Sequence, residues 1–154
     1  MENDIKKLNE IANGLKRLNK KVLLFKLINK AKEEYDALNF VSGKQSLLEA
    51  LEIDSQNPVT LRGLGCIEQF EGNFDKAVEF FNKALKHSKQ KEIEYTLLGM
   101  AYYFKDELDQ SVEYFNLAIE LNDDYTKAYE GRNQAMLENH IKIIDLQEAL
   151  KKYF

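Results

Sequence analysis

Reactive side chains are few in this chain, and they are scattered. Two histidines, His87 and His140, and one cysteine, Cys66, are the residue types that ligate metals or carry nucleophilic chemistry. Neither histidine has a cysteine or an acidic cluster around it at metal-ligand spacing. Glu138 is close to His140, yet the pair reads as part of an exposed turn between helices. No HExxH, Gly-rich phosphate loop or nucleophile elbow occurs. Asp123-Asp124 closes a helical segment and needs no catalytic role, and the many other carboxylates suit solvated helix faces. Cys66 reads as a small apolar side chain. Standing alone, it allows no intrachain disulfide and points to a reducing compartment. The chain is therefore expected to be no enzyme, with no cofactor and no metal.

The elements that must position any site follow from composition and pattern. At 154 residues the chain can form one domain with a real core. One Pro and seven Gly leave little material for linkers. A net charge of −4 gives no domain-wide positive field, which argues against nucleic acid as a partner. The basic run Lys16-Arg17 and Lys20-Lys21 reads as a solvated helix face. Nothing matches a signal peptide or reaches the ~18 apolar residues of a membrane span. A cytoplasmic location away from membranes is the expectation.

Internal repetition is the strongest signal. Residues 61–85 lie over residues 95–119 without a gap, at an offset of 34 (95 − 61). Gly65 falls on Gly99, Phe74 on Leu108, Val78 on Val112, Phe81 on Phe115, Asn82 on Asn116 and Ala84 on Ala118. One step back places Ala31, Phe40, Leu47, Ala50 and Leu51; one step forward places Tyr129 and Ala135. Each unit predicts two helices. In the clearest one, a helix opens at Pro58, whose missing N–H is harmless in a first turn, and runs to Phe70. Gly72-Asn73 breaks it, and a second helix is predicted from Asp75 to His87. Gly65, Gly99, Ala77, Ala84 and Ala118 let helices approach closely while Leu61, Leu64, Phe81 and Leu85 fill the space beside them. A single pair cannot bury its apolar face and must stack on a neighbour.

On these residues the chain resembles the tetratricopeptide repeat family. The family's 34-residue unit carries an aromatic or large apolar residue at position 4, Leu-Gly at 7 and 8, aromatic residues at 11, 17 and 24, and Ala at 20 and 27. The unit 58–91 matches with Leu61, Leu64, Gly65, Phe74, Ala77, Phe81 and Ala84, and the unit 92–125 with Tyr95, Leu98, Gly99, Tyr102, Leu108, Phe115 and Ala118. The unit 24–57 is degenerate, with Gly43 where Ala is usual, and 126–154 is a partial unit plus a terminal helix. The resemblance implies an all-α fold: a right-handed superhelical stack of helix-turn-helix repeats, a solenoid, with capping helices at both ends. Residues 1–23 form an amphipathic helical extension in this reading.

Helical geometry then separates two stripes on the stretch 93–104. Tyr95, Leu98 and Tyr102 carry the family's packing positions, whereas Ile93, Leu97, Met100 and Phe104 lie on another line at i, i+4, i+7 and i+11. In the family that second line faces a concave groove where ligands lie. The same line reads Val59, Gly63, Cys66 and Phe70 in the preceding unit, Phe25, Asn29, Lys32 and Asp36 in the first, and Lys127, Gly131, Gln134 and Glu138 in the last. An apolar centre between polar ends is expected, with Arg62 and Tyr103 at its edge. Burying a Leu, Met or Phe is worth roughly 1.5–3 kcal/mol, so a cover is expected: a partner, the curvature of the stack, or the chain's own N-terminus.

The N-terminal candidate is Ile5, Leu8, Ala12, Leu15, Asn19 and Val22, spaced 3, 4, 3, 4, 3 and widened by Ile11 and Leu18. It predicts an amphipathic helix, interrupted near Asn13-Gly14, that caps the first unit, lies in the groove, or pairs copies into a homodimer. At the other end Ile144, Leu146 and Leu150 are expected inward, with Lys151-Lys152 at a helix C-terminus. The basic clamp that some relatives use for acidic tails is poorly matched. From the second unit its positions hold Arg62, Cys66, Leu97, Lys127 and Gly131, and from the first Ile28, Lys32, Gly63, Ile93 and Leu97. The function implied is a protein-interaction adaptor that holds an apolar peptide or amphipathic helix on Val59, Arg62, Cys66, Phe70, Ile93, Leu97, Met100, Tyr103 and Phe104. A small secretion-type chaperone and a self-associating structural module are the alternatives.

Overall fold

The computed structural model describes the backbone of residues 2–153 and the side chains of residues 5–145 and 147. Its elements are α1 (Glu2–Asp36), α2 (Phe40–Ile53), α3 (Pro58–Phe70), α4 (Phe74–His87), α5 (Lys91–Phe104), α6 (Leu108–Leu121) and α7 (Thr126–Tyr153). The turns within pairs obey the 34-residue period. Leu38, Gly72 and Asp106 have φ of 60, 80 and 66°, the left-handed region that ends a helix. In each, the following N–H reaches back five residues: Asn39 to Glu34, Asn73 to Glu68 and Glu107 to Tyr102. These paired bonds satisfy carbonyls that the helix end would otherwise orphan and reverse the chain. Asn57 caps α3 with its side-chain oxygen, accepting from the Val59 and Thr60 N–H groups, and Pro58 supplies the preset φ of the first turn.

Helices pack in chain order. α1 lies on α2, α3 on α4, α5 on α6 and α7 on α6, with α2 on α3 and α4 on α5 joining the pairs. The core is a row of similar contacts. Phe81 and Phe115 are almost wholly buried, each against a glycine: a Cβ on Gly65 would come within 2.5 Å of the Phe81 ring, and one on Gly99 within 2.9 Å of Phe115. The repeated glycine thus seats a ring from the second helix. Ser111, where Ala is usual, is buried and donates to the Gly99 carbonyl at 2.8 Å, so its hydroxyl is satisfied.

Both ends depart from expectation. α1 runs unbroken through Asn13-Gly14, because an isolated Gly costs a helix only ~1 kcal/mol and Gly14 meets nothing within 4 Å. Residues 5–23 are exposed throughout, and the first half-buried position is Leu24. That stretch neither caps the first pair nor enters the groove; it projects. α7 is likewise one helix, so His140 is an exposed mid-helix residue and not part of a turn. Helix propensity carries through 138–142, where no Gly or Pro stands to end it. Ile144 is exposed rather than inward, since among the described residues no helix packs over its face. The side chains of Leu146, Leu150, Lys151 and Lys152 lie outside the described residues.

Candidate functional site

The first helices of the pairs, α1, α3, α5 and α7, share one face, and two hollows open on it. The larger, 590 Å³, lies between α5 and α7, with Ile93, Leu97 and Met100 on one wall and Gly131 and Gln134 on the other. The smaller, 240 Å³, lies between α1 and α3, bounded by Ile28, Lys32 and Tyr35 on one side and Val59 and Gly63 on the other. Both have the same construction. Phe115 lies beneath Gly131, whose added Cβ would be 2.3 Å from the ring, and Leu47 lies beneath Gly63 at 2.9 Å. At the equivalent position of α5 stands Leu97, a half-buried knob between the hollows. Repeat positions 63, 97 and 131 therefore give hollow, knob and hollow. The glycines are visible in the sequence, but their effect depends on the residue below, which only packing reveals.

The residues expected from sequence fall on this face. Ile93, Leu97, Met100 and Tyr103 line the larger hollow and Val59 the smaller, while Arg62 and Cys66 border both. Phe70 and Phe104 meet at a third concavity beside the Gly72 turn. Their rings also stack on the second helix of the preceding pair. Phe40 meets Phe70 at 4.1 Å between centroids, and Phe74 meets Phe104 at 5.8 Å. Curvature thus covers one side of each ring and leaves Phe70 61% and Phe104 51% exposed. On α1 the lining is Ile28, Ala31, Lys32 and Tyr35, so of the expected line only Lys32 faces the hollow. Phe25, Asn29 and Asp36 are exposed away from it.

Two of these residues are also tied to neighbouring helices. Arg62 sits between the hollows, its Nη2 and Nε donating to the Glu94 Oε1 at 2.6 and 3.0 Å. The Glu94 side chain is fully buried and its Oε2 has no protein partner. This pair ties α3 to α5 across the groove floor. Glu94 was not legible as a site residue, since a Glu in the first turn of a helix ordinarily serves the helix dipole at the surface. Tyr103 is anchored to α7: its hydroxyl donates to Glu138 and accepts from the Gln134 amide. The bond to Glu138, followed by burial, raises the phenol above its ordinary pKa.

Chemistry at the face is subdued. Burial pushes the Cys66 thiol up to about 11, with Arg62 pulling against it, so the sulfur is a neutral apolar surface at neutral pH. His87, His140, Asp123 and Asp124 are exposed and line neither hollow. Among the described residues no three His, Cys, Asp or Glu side chains stand together as a metal site. Nor, among them, is any helix long and apolar enough to cross a membrane. What the arrangement can do is hold apolar groups in two hollows either side of Leu97.

Comparison with known proteins agrees on architecture. The tetratricopeptide repeat pattern matches residues 63–90 and 95–125. No curated protein matches the sequence. Among solved structures, a mutant O-GlcNAc transferase of Thermobaculum terrenum is similar at TM-score 0.72 and 20% identity, over 76% of this chain and 22% of that one. The second TPR domain of human RPAP3, solved in complex with the HSP70 peptide SGPTIEEVD, is similar at TM-score 0.69 and 9% identity, covering 76% and 98%. MamA is similar at TM-score 0.69 and 20% identity, covering 97% and 92%. Identities at this level establish a shared fold.

Proposed function

From a chain that carries tetratricopeptide repeats, we propose a non-enzymatic protein-interaction module whose concave groove binds an apolar peptide segment or an amphipathic helix. The observation that carries this reading is the hollow-knob-hollow face around Leu97, apolar on most of its walls and open to solvent. A helix laid across such a face anchors by side chains at i, i+3, i+4 and i+7 spacing. The RPAP3 domain supports the reading in kind, since the same fold there holds a peptide. The ligand differs in chemistry. Here Arg62 is occupied by Glu94 and the surrounding positions are Cys66, Leu97 and Gly131, which suit apolar anchors better than an acidic tail. The module works without cofactor, nucleic acid or membrane, and a cytoplasmic setting keeps Cys66 reduced.

Selection from a displayed library of amphipathic peptides tests this. The wild type is expected to enrich apolar sequences, and Met100→Glu to weaken the enriched peptides at least tenfold, about 1.4 kcal/mol. Met100 is 37% exposed, so the variant keeps its fold, which circular dichroism checks. Equal capture by the two proteins would sink the groove reading.

A further inference from the structure

We propose that the groove's occupant is the projecting stretch of α1 from a second copy of this chain, so that copies join head to tail. This rests on the groove reading above and adds the identity of the ligand. The stretch presents Leu8, Ile11, Leu15, Leu18, Val22 and Phe25 at a 3, 4, 3, 4, 3 spacing, each 46–65% exposed. A helix of that length without packing is marginal in water, because helices in proteins owe most of their stability to a buried apolar face. A contiguous apolar stripe on a soluble surface marks an interaction site. One chain therefore displays both an unpartnered amphipathic helix and a groove built for one.

The helix cannot serve its own groove. It continues without a break into the half of α1 that packs on α2 and α3, and residues 5–23 are exposed and line neither hollow. A second copy has no such constraint. The lengths agree as well. Ile11 and Val22 lie on one face and 11 residues apart (22 − 11), about 16 Å at 1.5 Å per residue. The two hollows meet at Arg62 and Cys66 and together reach from α1 to α7, a span on the order of two helix widths, about 20 Å. Charge agrees too. Residues 1–22 hold six Lys or Arg and three Asp or Glu, a net +3. The whole chain is −4, which leaves −7 on residues 23–154 (−4 − 3). That balance favours long-range approach of the stretch to the body of another copy and sets two such stretches against each other, while the docking itself is apolar, since the hollows' own lining holds Lys32, Arg62 and Lys127 against Glu130. The contact joins unlike surfaces, so each copy keeps one free end and the assembly grows as a ring or an open row.

Sedimentation velocity on the full chain tests this, with Leu15→Glu to spoil the helix and Met100→Glu to spoil the groove. The wild type should associate beyond a dimer as concentration rises, and less so at high salt. Each variant alone should be a monomer. Mixed one to one they should form a single 1:1 complex, since one retains the helix and the other the groove. Leu18→Asn and Val59→Glu form a second pair should either first variant misfold by circular dichroism. A wild type that stays monomeric to about 100 µM, far above a micromolar Kd, overturns the proposal. So does association of Met100→Glu on its own, which would mean that the helices pair with each other. Peptide selection on Leu15→Glu, whose groove is intact, separates the two readings. Peptides enriched on Leu15→Glu while the wild type stays monomeric leave the groove reading standing and remove this one. No enrichment on Leu15→Glu and no association of the wild type removes both.

Discussion

At Leu38 a branched, 69% exposed side chain occupies a backbone conformation that Gly72 takes without strain. Left-handed φ costs an L-residue about 1–2 kcal/mol. Leu38→Gly is therefore expected to stabilise the protein by about 1 kcal/mol, and Gly72→Ala to destabilise it by a similar amount, in urea denaturation. Gly131 acts by space rather than by φ. Phe115 is held between Gly99 and Gly131, so a methyl at either place has no ring movement to accommodate it. Gly131→Ala should destabilise by roughly 1–3 kcal/mol, whereas Gly14→Ala, in open space, should raise helicity. Cys66 belongs to the same scale. With its thiol at about 11, alkylation by iodoacetamide at pH 8 should be much slower in the folded protein than in urea. Equal rates would show that the sulfur is not buried.

Between elements, the joints are ionic as well as apolar. Lys44 of α2 binds Glu68 and Glu71 at the end of α3, both at 2.8 Å. Burial alone would raise the Glu68 carboxyl, but the bonds from Lys44 and Asn73 outweigh it and hold it below its ordinary value. A depressed carboxyl contributes stability above the unfolded pKa, near 4.3, and loses it as pH falls through the folded value. Stability should drop below about pH 4.3, and Glu68→Gln should flatten that drop. A profile unchanged by the substitution would refute the assignment. The Arg62–Glu94 pair is the sharper case: Arg62→Met strands a buried carboxylate and should cost about 3–5 kcal/mol. Adding Glu94→Met should recover much of it, a coupling that a double-mutant cycle reads directly. Helix positions and the two stripes on 93–104 were legible because both follow from the 34-residue period and 100° per residue. The Arg62–Glu94 joint and the hollow floors were not, since they depend on which side chains from different helices share a space. Gly14 and His140 mislead for a related reason: local signals for a break are weak beside the continuity of a long helix.

At the scale of the whole molecule, every helix–helix contact of substance joins elements adjacent in the chain or one removed, such as α1 with α3 and α5 with α7. Nothing closes the stack end to end among the described residues. Such a chain has little loop entropy to overcome before its contacts form, so folding should be fast, on the microsecond-to-millisecond scale of helical proteins. Stability should also be graded along it rather than uniform. In the monomer, hydrogen exchange is expected to be slowest at the Phe81 and Phe115 layers, faster in α7, and fastest in residues 5–23, which have no packing there to protect them. Filling the groove should slow exchange most in α3 and α5. The row of ring-on-glycine seats is thus also a row of separate fuses: an opening at one end can pass without melting the centre. Thermal unfolding would then be broad, with amide protection lost from the two ends inward.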